Sequence, residues 1–373
     1  MNSQVGSVLF SVPGFTSTAT GGFLLNCHDI DNLRASSSIL KIIAHSNILN
    51  FSGDLGKREI SAPSPINKLL AAVLLNGDSV YFSIIREIWS CRNFNSCYFQ
   101  EGTRSWIYPF FAKLLGYRIL IRAHNVEASY FRSVYIESHG DNDQGLGKKF
   151  RNYFKLAAVS FSEYISSVLA DAIFTLTEDD RRYFSGRCRD TIKLPYFPLV
   201  LPEIVEAMDH EKVRVIFVGS LDFYPNREAH DLILSIAAST GGNIEFHFFG
   251  RDENVEKSKM ENIIYHGFVD ELSTAYSLGD VFLCPIQTGA GMKLKVAEAL
   301  SYGVPVLVSQ HSAKGYEGTP GVELLPCQKS GSKKSIYRIL DRYPSKKDLQ
   351  KHYASWQKSL EVNKKFSNAI NKC

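Results

Sequence analysis

The residues of this chain best suited to chemistry lie within 284–308, where a glycine-rich turn separates an apolar strand pattern from a helical pattern. Gly289 and Gly291 fall where the predicted strand passes into the predicted helix. Backbone N–H groups and the positive helix end would face a ligand there, which favours a phosphate. Lys293 opens the helix and Glu298 follows five residues later. A cation and an acid beside an anion-binding turn suit a diphosphate with a sugar diol, as in a nucleotide-sugar.

Length, composition, charge and cysteine content limit the classes of protein to which this chain can belong. The chain has 373 residues, about two domains' worth, and is 45% hydrophobic. Its net charge of +4 permits an anionic substrate or an acidic membrane surface, but does not argue for nucleic acid. Seven cysteines without a Cys-x-x-Cys pair indicate reduced thiols and no metal site. With no basic leader before Arg34 and no long apolar run, we expect a cytoplasmic protein without a membrane span.

Strand and helix patterns alternate through both halves of the chain. In the C-terminal half the predicted strands are Val213–Val218, Ile244–Phe249, Ile263–Val269, Val281–Pro285 and Pro305–Val308. In the N-terminal half they are Val8–Val12, Ser79–Ile84, Cys97–Gln100, Arg118–Arg122 and Ala172–Leu176. Such alternation with short turns predicts an α/β protein with two doubly wound parallel sheets, each a Rossmann-like domain.

The expected domain organisation follows from a proline cluster and a periodic tail. Residues 1–194 form one domain, 195–206 a linker with three prolines, and 207–345 the second domain. Residues 346–373 are expected to form a tail helix that packs back on the N-terminal domain. Because ligands bind outside the carboxyl ends of strands in open α/β sheets, we expect a site in a cleft between the domains.

Several ordered motifs resemble a family 4 glycosyltransferase of the GT-B fold. They are Phe217-Val218-Gly219-Ser220, Pro225-Asn226, Gly289-Ala290-Gly291-Met292-Lys293, Glu298-Ala299, Gly303-Val304-Pro305-Val306, Arg122-Ala123-His124-Asn125-Val126-Glu127 and Ala170-Asp171-Ala172. The resemblance implies a retaining transferase that moves a sugar from a nucleotide diphosphate-sugar, without a metal or another cofactor. It places the donor in the C-terminal domain and the acceptor in the N-terminal domain.

The resemblance and the positions of the strand ends together suggest which residues form the site. The donor-binding candidates are Gly219, Ser220, Asn226, Arg227, Arg251, Gly289, Ala290, Gly291, Met292, Lys293 and Glu298. The acceptor-side candidates are Gly21, Gly22, His124 and Glu127. His124, Lys293 and Glu298 are the catalytic candidates. Glu298 would accept hydrogen bonds from the ribose, Lys293 would meet the diphosphate, and His124 would bond a sugar hydroxyl or the leaving phosphate.

Simpler interpretations and other functions stay open at this point. Glu298 could form a surface pair with Lys295, Lys293 could be a solvated lysine, and His124 could belong to the core. Many relatives have a glutamate where this chain has Ala290. A nucleotide-sugar-binding subunit without catalysis would explain that alanine, and an epimerase could share the two-sheet fold.

One segment rich in basic and aromatic residues is relevant to whether the protein binds a membrane. Lys148–Lys155 interleaves cations with aromatic rings, at the start of a predicted amphipathic helix over Lys148–Ala170 whose apolar positions include Phe150 and Val168. The helix could dock on anionic lipid at the inner face of the membrane, or pack its aromatic side on the core. The acceptor could be a glycan, a lipid-linked molecule or a protein, in surface polysaccharide or glycoconjugate synthesis.

Overall fold

The chain forms two units, each with its own parallel sheet. Unit 1 is Met1–Tyr196 with Glu361–Cys373, and unit 2 is Phe197–Leu360. The division falls at the start of the predicted linker. The computed structural model describes residues 7–11, 29–33, 39–44, 56–59, 64–77, 79–91, 94–137, 146–198, 201–204, 211–253, 256–326 and 331–370.

Unit 1 is built on a seven-stranded sheet in the order β3-β2-β1-β4-β5-β6-β7, with every neighbouring pair parallel. Its strands are β1 Ser7–Ser11, β2 Ile39–Ala44, β3 Gly56–Glu59, β4 Ser96–Gln100, β5 Arg118–Ala123, β6 Ala172–Thr175 and β7 Asp190–Lys193. The central strand β4 is buried at all its positions, as expected for a parallel strand covered on both faces.

Seven helices of unit 1 are described, and two of them begin at a capping side chain. The seven helices are α1 Pro65–Val73, α2 Phe82–Ser90, α3 Ile107–Leu114, α4 Glu127–Arg132, α5 Leu146–Leu169, α6 Glu178–Ser185 and, near the chain end, α12 Val362–Ile370. Ser64 caps α1 by accepting from the N–H of Asn67, and Thr177 caps α6 by accepting from the N–H of Asp180. A further helical segment covers 29–33.

The strand predicted over Ser79–Ile84 is wrong, because helix α2 begins at Phe82 within it. The buried residues of α2 are Ile84, Glu87 and Ile88, which follow the spacing of three and four that a helix requires. The apolar run at 80–85 was too short to separate a strand from the first turn of a helix.

Unit 2 is built on a six-stranded parallel sheet in the order β10-β9-β8-β11-β12-β13. Its strands are β8 Val213–Val218, β9 Ile244–Phe249, β10 Ile263–Gly267, β11 Val281–Cys284, β12 Val306–Val308 and β13 Val322–Leu324. Its helices are α7 Tyr224–Thr240, α8 Leu272–Leu278, α9 Leu294–Ser301, α10 Ser332–Arg342 and α11 Lys346–Ser359. The carboxyl ends of β8, β9 and β11 carry the donor-side candidates.

The tail consists of two helices, where one helix was predicted over 346–373. Glu361, with a φ of 50°, separates α11 in unit 2 from α12 in unit 1. Phe366 of α12 is buried, with its ring centroid 6.0 Å from that of Tyr98 and 5.3 Å from that of Phe174. The Arg118 guanidinium donates to the last carbonyls of α12, including that of Ile370 at 2.9 Å.

Helix α5 has the predicted extent but buries a different face from the apolar one. Its buried residues are Ala158, Val159, Ser162, Glu163, Ser166 and Ser167. Phe150 and Val168, on the predicted apolar face, are 75% and 53% exposed. The polar face is satisfied internally, because the Ser162 hydroxyl accepts from the N–H of Gly77 and the Glu163 carboxylate accepts from the N–H of Glu127. The expectation that the aromatic side packs on the core is therefore wrong.

Removing the buried ring of Phe366 tests how much helix α12 stabilises unit 1. We expect Phe366→Ala to lower the free energy of unfolding by about 3–5 kcal/mol, because it leaves a cavity between Tyr98 and Phe174. Lys364→Ala, at an exposed position of the same helix, should change it by less than about 0.5 kcal/mol. Urea denaturation measures both. Equal stability of the two variants would show that α12 adds nothing to the core.

Candidate functional site

The turn between β11 and α9 is fixed from both sides. Gly289 and Gly291 have φ values of 91° and 69°, which side chains rarely tolerate. The Thr288 hydroxyl donates to Glu228 Oε2 of α7 at 2.8 Å, and the Ser312 hydroxyl donates to the Ile286 carbonyl at 3.0 Å. These bonds hold the glycine turn at the carboxyl edge of the sheet in front of α9, the geometry that suits an anion.

The first turn of α9 is held by a tyrosine that the sequence analysis missed. The buried Tyr316 hydroxyl donates to the Lys293 carbonyl at 2.8 Å and accepts from the N–H of Ala297 at 3.1 Å. The Lys293 ammonium donates to the Ala290 carbonyl at 3.1 Å, so it lies over the glycine turn. A cation is therefore placed beside the predicted phosphate position.

The carboxyl ends of β8 and β9 approach each other at two glycines. Gly219 has a φ of 150° and Gly250 a φ of 140°. A Cβ on Gly250 would lie 2.3 Å from the Gly219 carbonyl oxygen, and a Cβ on Gly219 would lie 2.6 Å from Lys295 Nζ. Glycine is required at 250 because the obstructing atom is backbone, and at 219 because the φ value and the ammonium both oppose a side chain.

Lys295 is the second residue of this site that the sequence analysis did not nominate. Its ammonium donates to Asn226 Oδ1 at 2.9 Å and lies 4.6 Å from the centroid of the Phe217 ring. Asn226 Nδ2 in turn donates to the Ser220 carbonyl at 2.7 Å. Burial lowers the pKa of Lys295, and its attraction to Cys284 and Glu298 opposes that shift. Lys295 thus brings a second cation to the ends of β8 and β11.

Glu298 faces a buried tyrosine. The Tyr276 hydroxyl donates to Glu298 Oε2 at 3.2 Å, and the Tyr276 ring stacks on Tyr302. Burial raises the pKa of Glu298, while the Tyr276 bond and the Lys295 charge act in the opposite direction. Because the Lys295 ammonium donates to Asn226, Glu298 is not simply one half of a surface lysine pair. Tyr276 therefore fixes one oxygen of the Glu298 carboxylate.

The two arginine candidates lie at the same edge but bind protein groups. Arg227 donates through Nε to the Leu221 carbonyl at 3.3 Å. The Arg251 guanidinium carbon lies 5.9 Å from the centroid of the Phe268 ring. Both arginines are exposed, and these contacts support their loops. Of the other candidates, Met292 is buried and Ser220 is half-buried.

His311 is a further residue at the turn that sequence reasoning missed. Burial and the nearby cations of Lys293 and Lys314 lower its pKa to about 4, against hydrogen bonds with the backbone of Gly289 and Thr288 that raise it. Its buried Nε2 atom has no hydrogen-bond partner among the described residues. At neutral pH the ring is therefore uncharged and presents one unused nitrogen. No local spacing marks this histidine, which follows β12.

In unit 1, His124 is clamped by two side chains from the end of β4. Its Nε2 lies 2.8 Å from Gln100 Oε1, and its Nδ1 lies 3.1 Å from Glu101 Oε1. Gln100 Nε2 donates to the buried Asp29 carboxylate at 2.6 Å, which turns the amide oxygen towards the histidine. Tyr98 donates to the same carboxylate. The neighbouring strands β4 and β5 thus fix the ring orientation.

The acid beside His124 is Glu101 rather than Glu127. Glu101 has a φ of 49° and also accepts from Arg104 at 2.9 Å. Burial raises the pKa of Glu101, but the bonds and charges of His124 and Arg104 outweigh this and hold it at about 2. Glu127 instead accepts from Asn125 and lies 3.8 Å from Arg104 Nε. It begins α4, so its carboxylate also suits the positive helix end.

Two acceptor-side candidates, Gly21 and Gly22, lie outside the described residues. Within the part of the chain that the structure describes, no three His, Cys, Asp or Glu side chains are grouped so as to hold a metal ion.

Comparison with known proteins gives a family match, a related sequence and similar solved structures. Residues 212–340, a segment of unit 2, match the family Glycosyl transferases group 1. A Klebsiella pneumoniae protein, described as an uncharacterized 44.6 kDa protein in the cps region, is 22% identical over 224 residues. The match covers 55% of each protein, so the chain spans about half the length of this curated relative.

Solved structures establish the fold. Anabaena HepE, in complex with UDP and glucose, has a TM-score of 0.64 at 9% identity, covering 98% of this chain and 100% of that one. The lipopolysaccharide outer core galactosyltransferase WaaB has a TM-score of 0.64 at 12% identity, covering 97% and 98%. Sucrose-phosphate synthase from Thermosynechococcus elongatus has a TM-score of 0.62 at 13% identity, covering 98% and 96%. The predicted resemblance to a GT-B glycosyltransferase is confirmed.

The Glu101 clamp predicts a specific dependence of stability on pH. The pKa of Glu101 is lower in the fold than its ordinary value, so its contribution is complete above that value and is lost as the pH falls towards 2. We expect wild-type stability to fall more steeply than that of Glu101→Gln over this range, by about 2–3 kcal/mol. Urea denaturation across pH measures the difference. Parallel curves for wild type, Glu101→Gln and the exposed control Glu261→Gln would contradict the clamp.

Proposed function

We propose that the protein is a retaining glycosyltransferase that uses a nucleotide diphosphate-sugar and needs no metal. The observation that carries the proposal is the arrangement around α9. A glycine turn precedes the helix, two lysine ammonium groups lie at the sheet edge, and Glu298 lies one turn further on. Residues 212–340, which contain this arrangement, match a glycosyltransferase family. Retention follows from the family resemblance.

Catalysis would be mainly electrostatic. As the bond between sugar and diphosphate breaks, negative charge develops on the leaving group. Lys293 and Lys295 provide positive charge, and the N-terminal end of α9 adds the positive end of its dipole. These groups would take the place of a divalent ion. Glu298, held by Tyr276, would bind the ribose hydroxyls, and His124 would bond the sugar or the leaving phosphate.

The comparisons favour one donor class and one biological setting. HepE was solved with UDP and with UDP-glucose, which makes UDP-sugars the first donors to test. The Klebsiella relative is described as a protein in the cps region, and this description supports a role in surface polysaccharide synthesis. The acceptor class extends over glycans, lipid-linked saccharides and proteins. We place the protein in the cytoplasm, with peripheral attachment to an anionic membrane surface through Lys148–Lys155.

One observation supports a second candidate function. Position 290 has a methyl group where many relatives of the predicted family have a carboxylate. A subunit that binds a nucleotide-sugar without transferring the sugar would be compatible with this difference. The turn offers backbone N–H groups from Gly289 to Met292 in place of that carboxylate, so we favour the active enzyme.

A donor screen tests the proposal. Purified protein is mixed with UDP-, GDP- and dTDP-sugars, and thermal stabilisation and nucleoside diphosphate release are both measured. We expect one donor to stabilise the protein and to be hydrolysed slowly. Glu298→Ala and Lys293→Ala should each reduce donor use roughly tenfold to hundredfold, since each removes a charge-assisted bond of about 1.5–3 kcal/mol. Stabilisation without release, even with candidate acceptors, would favour the binding subunit, and no response would refute the site.

Lys295→Met separates a ligand role from a structural one. The substitution keeps the length of the side chain but leaves the oxygen of buried Asn226 without this donor, so we expect thermal stability to fall only slightly. Donor turnover should nevertheless fall about tenfold or more, because a cation near the leaving group is lost. Lys333→Met, at an exposed position of α10, is the matched control. Lower stability with unchanged turnover would identify Lys295 as a structural residue only.

A further inference from the structure

Four helices of unit 1 present an unusually apolar outer surface. We call α1, α2, α3 and α5, with Leu74 and Trp106, the outer helical surface. Most of the exposed large apolar side chains in the described part of the chain lie on it. Leu146 is 88% exposed, Phe150 75% and Val73 70%. Burying such side chains would be favourable at about 25 cal/mol per Å², so a surface of this kind indicates a binding partner.

The apolar side chains form one connected surface rather than scattered positions. Trp106 links three of the helices, because its Nε1 donates to the Leu74 carbonyl after α1 and its ring contacts Phe110 of α3 and Phe161 of α5. A groove between α2 and α3 continues the surface. It is lined by Phe82, Ser83, Ile85, Arg86, Trp89, Phe111 and Leu115.

The solvent-exposed charges on these four helices are all positive. The basic residues are Lys68, Arg86, Lys113, Lys148, Lys149, Arg151 and Lys155. The helices contain two carboxylates, Glu87 and Glu163, and both are buried. Lys113 is paired with Asp171, which follows α5. The surface therefore combines exposed aromatic rings with a positive field.

From this combination we infer that the outer helical surface docks on an anionic lipid bilayer. Aromatic and aliphatic side chains would enter the interfacial region, and the lysines and arginines would meet lipid phosphates. Tryptophan and tyrosine, here Trp89 and Tyr153, are the residues enriched at that depth. None of the described helices is both long and apolar enough to cross a membrane, so the contact is made at the bilayer surface.

The charge pattern argues against a second copy of this chain as the partner. A symmetric dimer would place the same patch against itself, so the cations of one copy would face those of the other. Juxtaposed like charges disfavour such a pairing. The inference extends the membrane attachment proposed through Lys148–Lys155 to four helices, and it depends on no part of the donor chemistry.

Vesicle flotation with the full chain tests the inference. We expect binding to vesicles that contain phosphatidylglycerol, weaker binding to phosphatidylcholine alone, and loss of binding at high salt. Phe150→Ser and Trp89→Ser should each weaken binding about tenfold. Lys148→Gln with Arg151→Gln should weaken it about fivefold per charge. Leu324→Ser and Lys334→Gln, exposed positions of unit 2, are the matched controls and should bind like wild type.

Three results would overturn the inference that this surface docks on a membrane. They are no binding to anionic vesicles, equal loss in the control variants, and a wild-type dimer that Phe150→Ser converts to a monomer. Because the substituted side chains are exposed, thermal unfolding should be unchanged and serves as the folding check. Donor stabilisation is measured on the same samples. Vesicle binding without a donor response would leave the surface standing and refute the proposed function, and the reverse result would refute the surface alone.

Discussion

In unit 2 the loop after β8 is tied to the start of α9 by the hydrogen bond from the Lys295 ammonium to Asn226. A desolvated cation is costly unless it is paired, so this ammonium must be held by polar groups. Asn226 Oδ1 accepts this hydrogen bond and Asn226 Nδ2 donates to the Ser220 carbonyl, which joins the start of α9 to the loop after β8. The contact requires glycine at position 219, where any Cβ would meet the ammonium. Lys293 and Glu298 belong to the start and middle of this helix, and the glycine turn before it is held separately by Thr288 and Ser312.

Unit 1 meets the same physical requirement with different residues. Its buried polar groups are connected in a chain from Asp29 through Gln100 and His124 to Glu101. Glu163 is buried on the inner side of α5 and accepts from the N–H of Glu127 and from Tyr183. Once hydrogen bonds and small side chains occupy the inner side of a helix, its aromatic residues are left on the outer side. The polar interior and the apolar exterior of α5 are therefore two consequences of one packing arrangement.

Local patterns in the sequence were enough to predict two parallel sheets and most of their strands, because apolar runs between turns report local structure. They also located the β11–α9 turn, since glycines between a strand and a helix mark a sharp change of chain direction. They did not reveal Lys295, Tyr316 or His311 as site residues, because the roles of these side chains come from elements distant in sequence.

The packing face of α5 was predicted wrongly for a different reason. Apolar periodicity identifies an amphipathic helix, but it does not say which side packs when the other side is small and can form hydrogen bonds. Ser162 and Glu163 find their partners at Gly77 and Glu127, far away in the sequence. Only the assembled unit shows that these polar side chains can be buried without leaving a hydrogen bond unmade.

The division of the tail has a consequence for biosynthesis. Unit 2 is one continuous segment, Phe197–Leu360, whereas unit 1 combines the early part of the chain with residues from Glu361 onward. During translation, α12 leaves the ribosome only after the whole of unit 2 has been made. The rings of Tyr98 and Phe174 therefore lack their contact with Phe366 until α12 has emerged, even though their own strands emerge first. The unit whose sequence begins first is therefore the one whose core closes last.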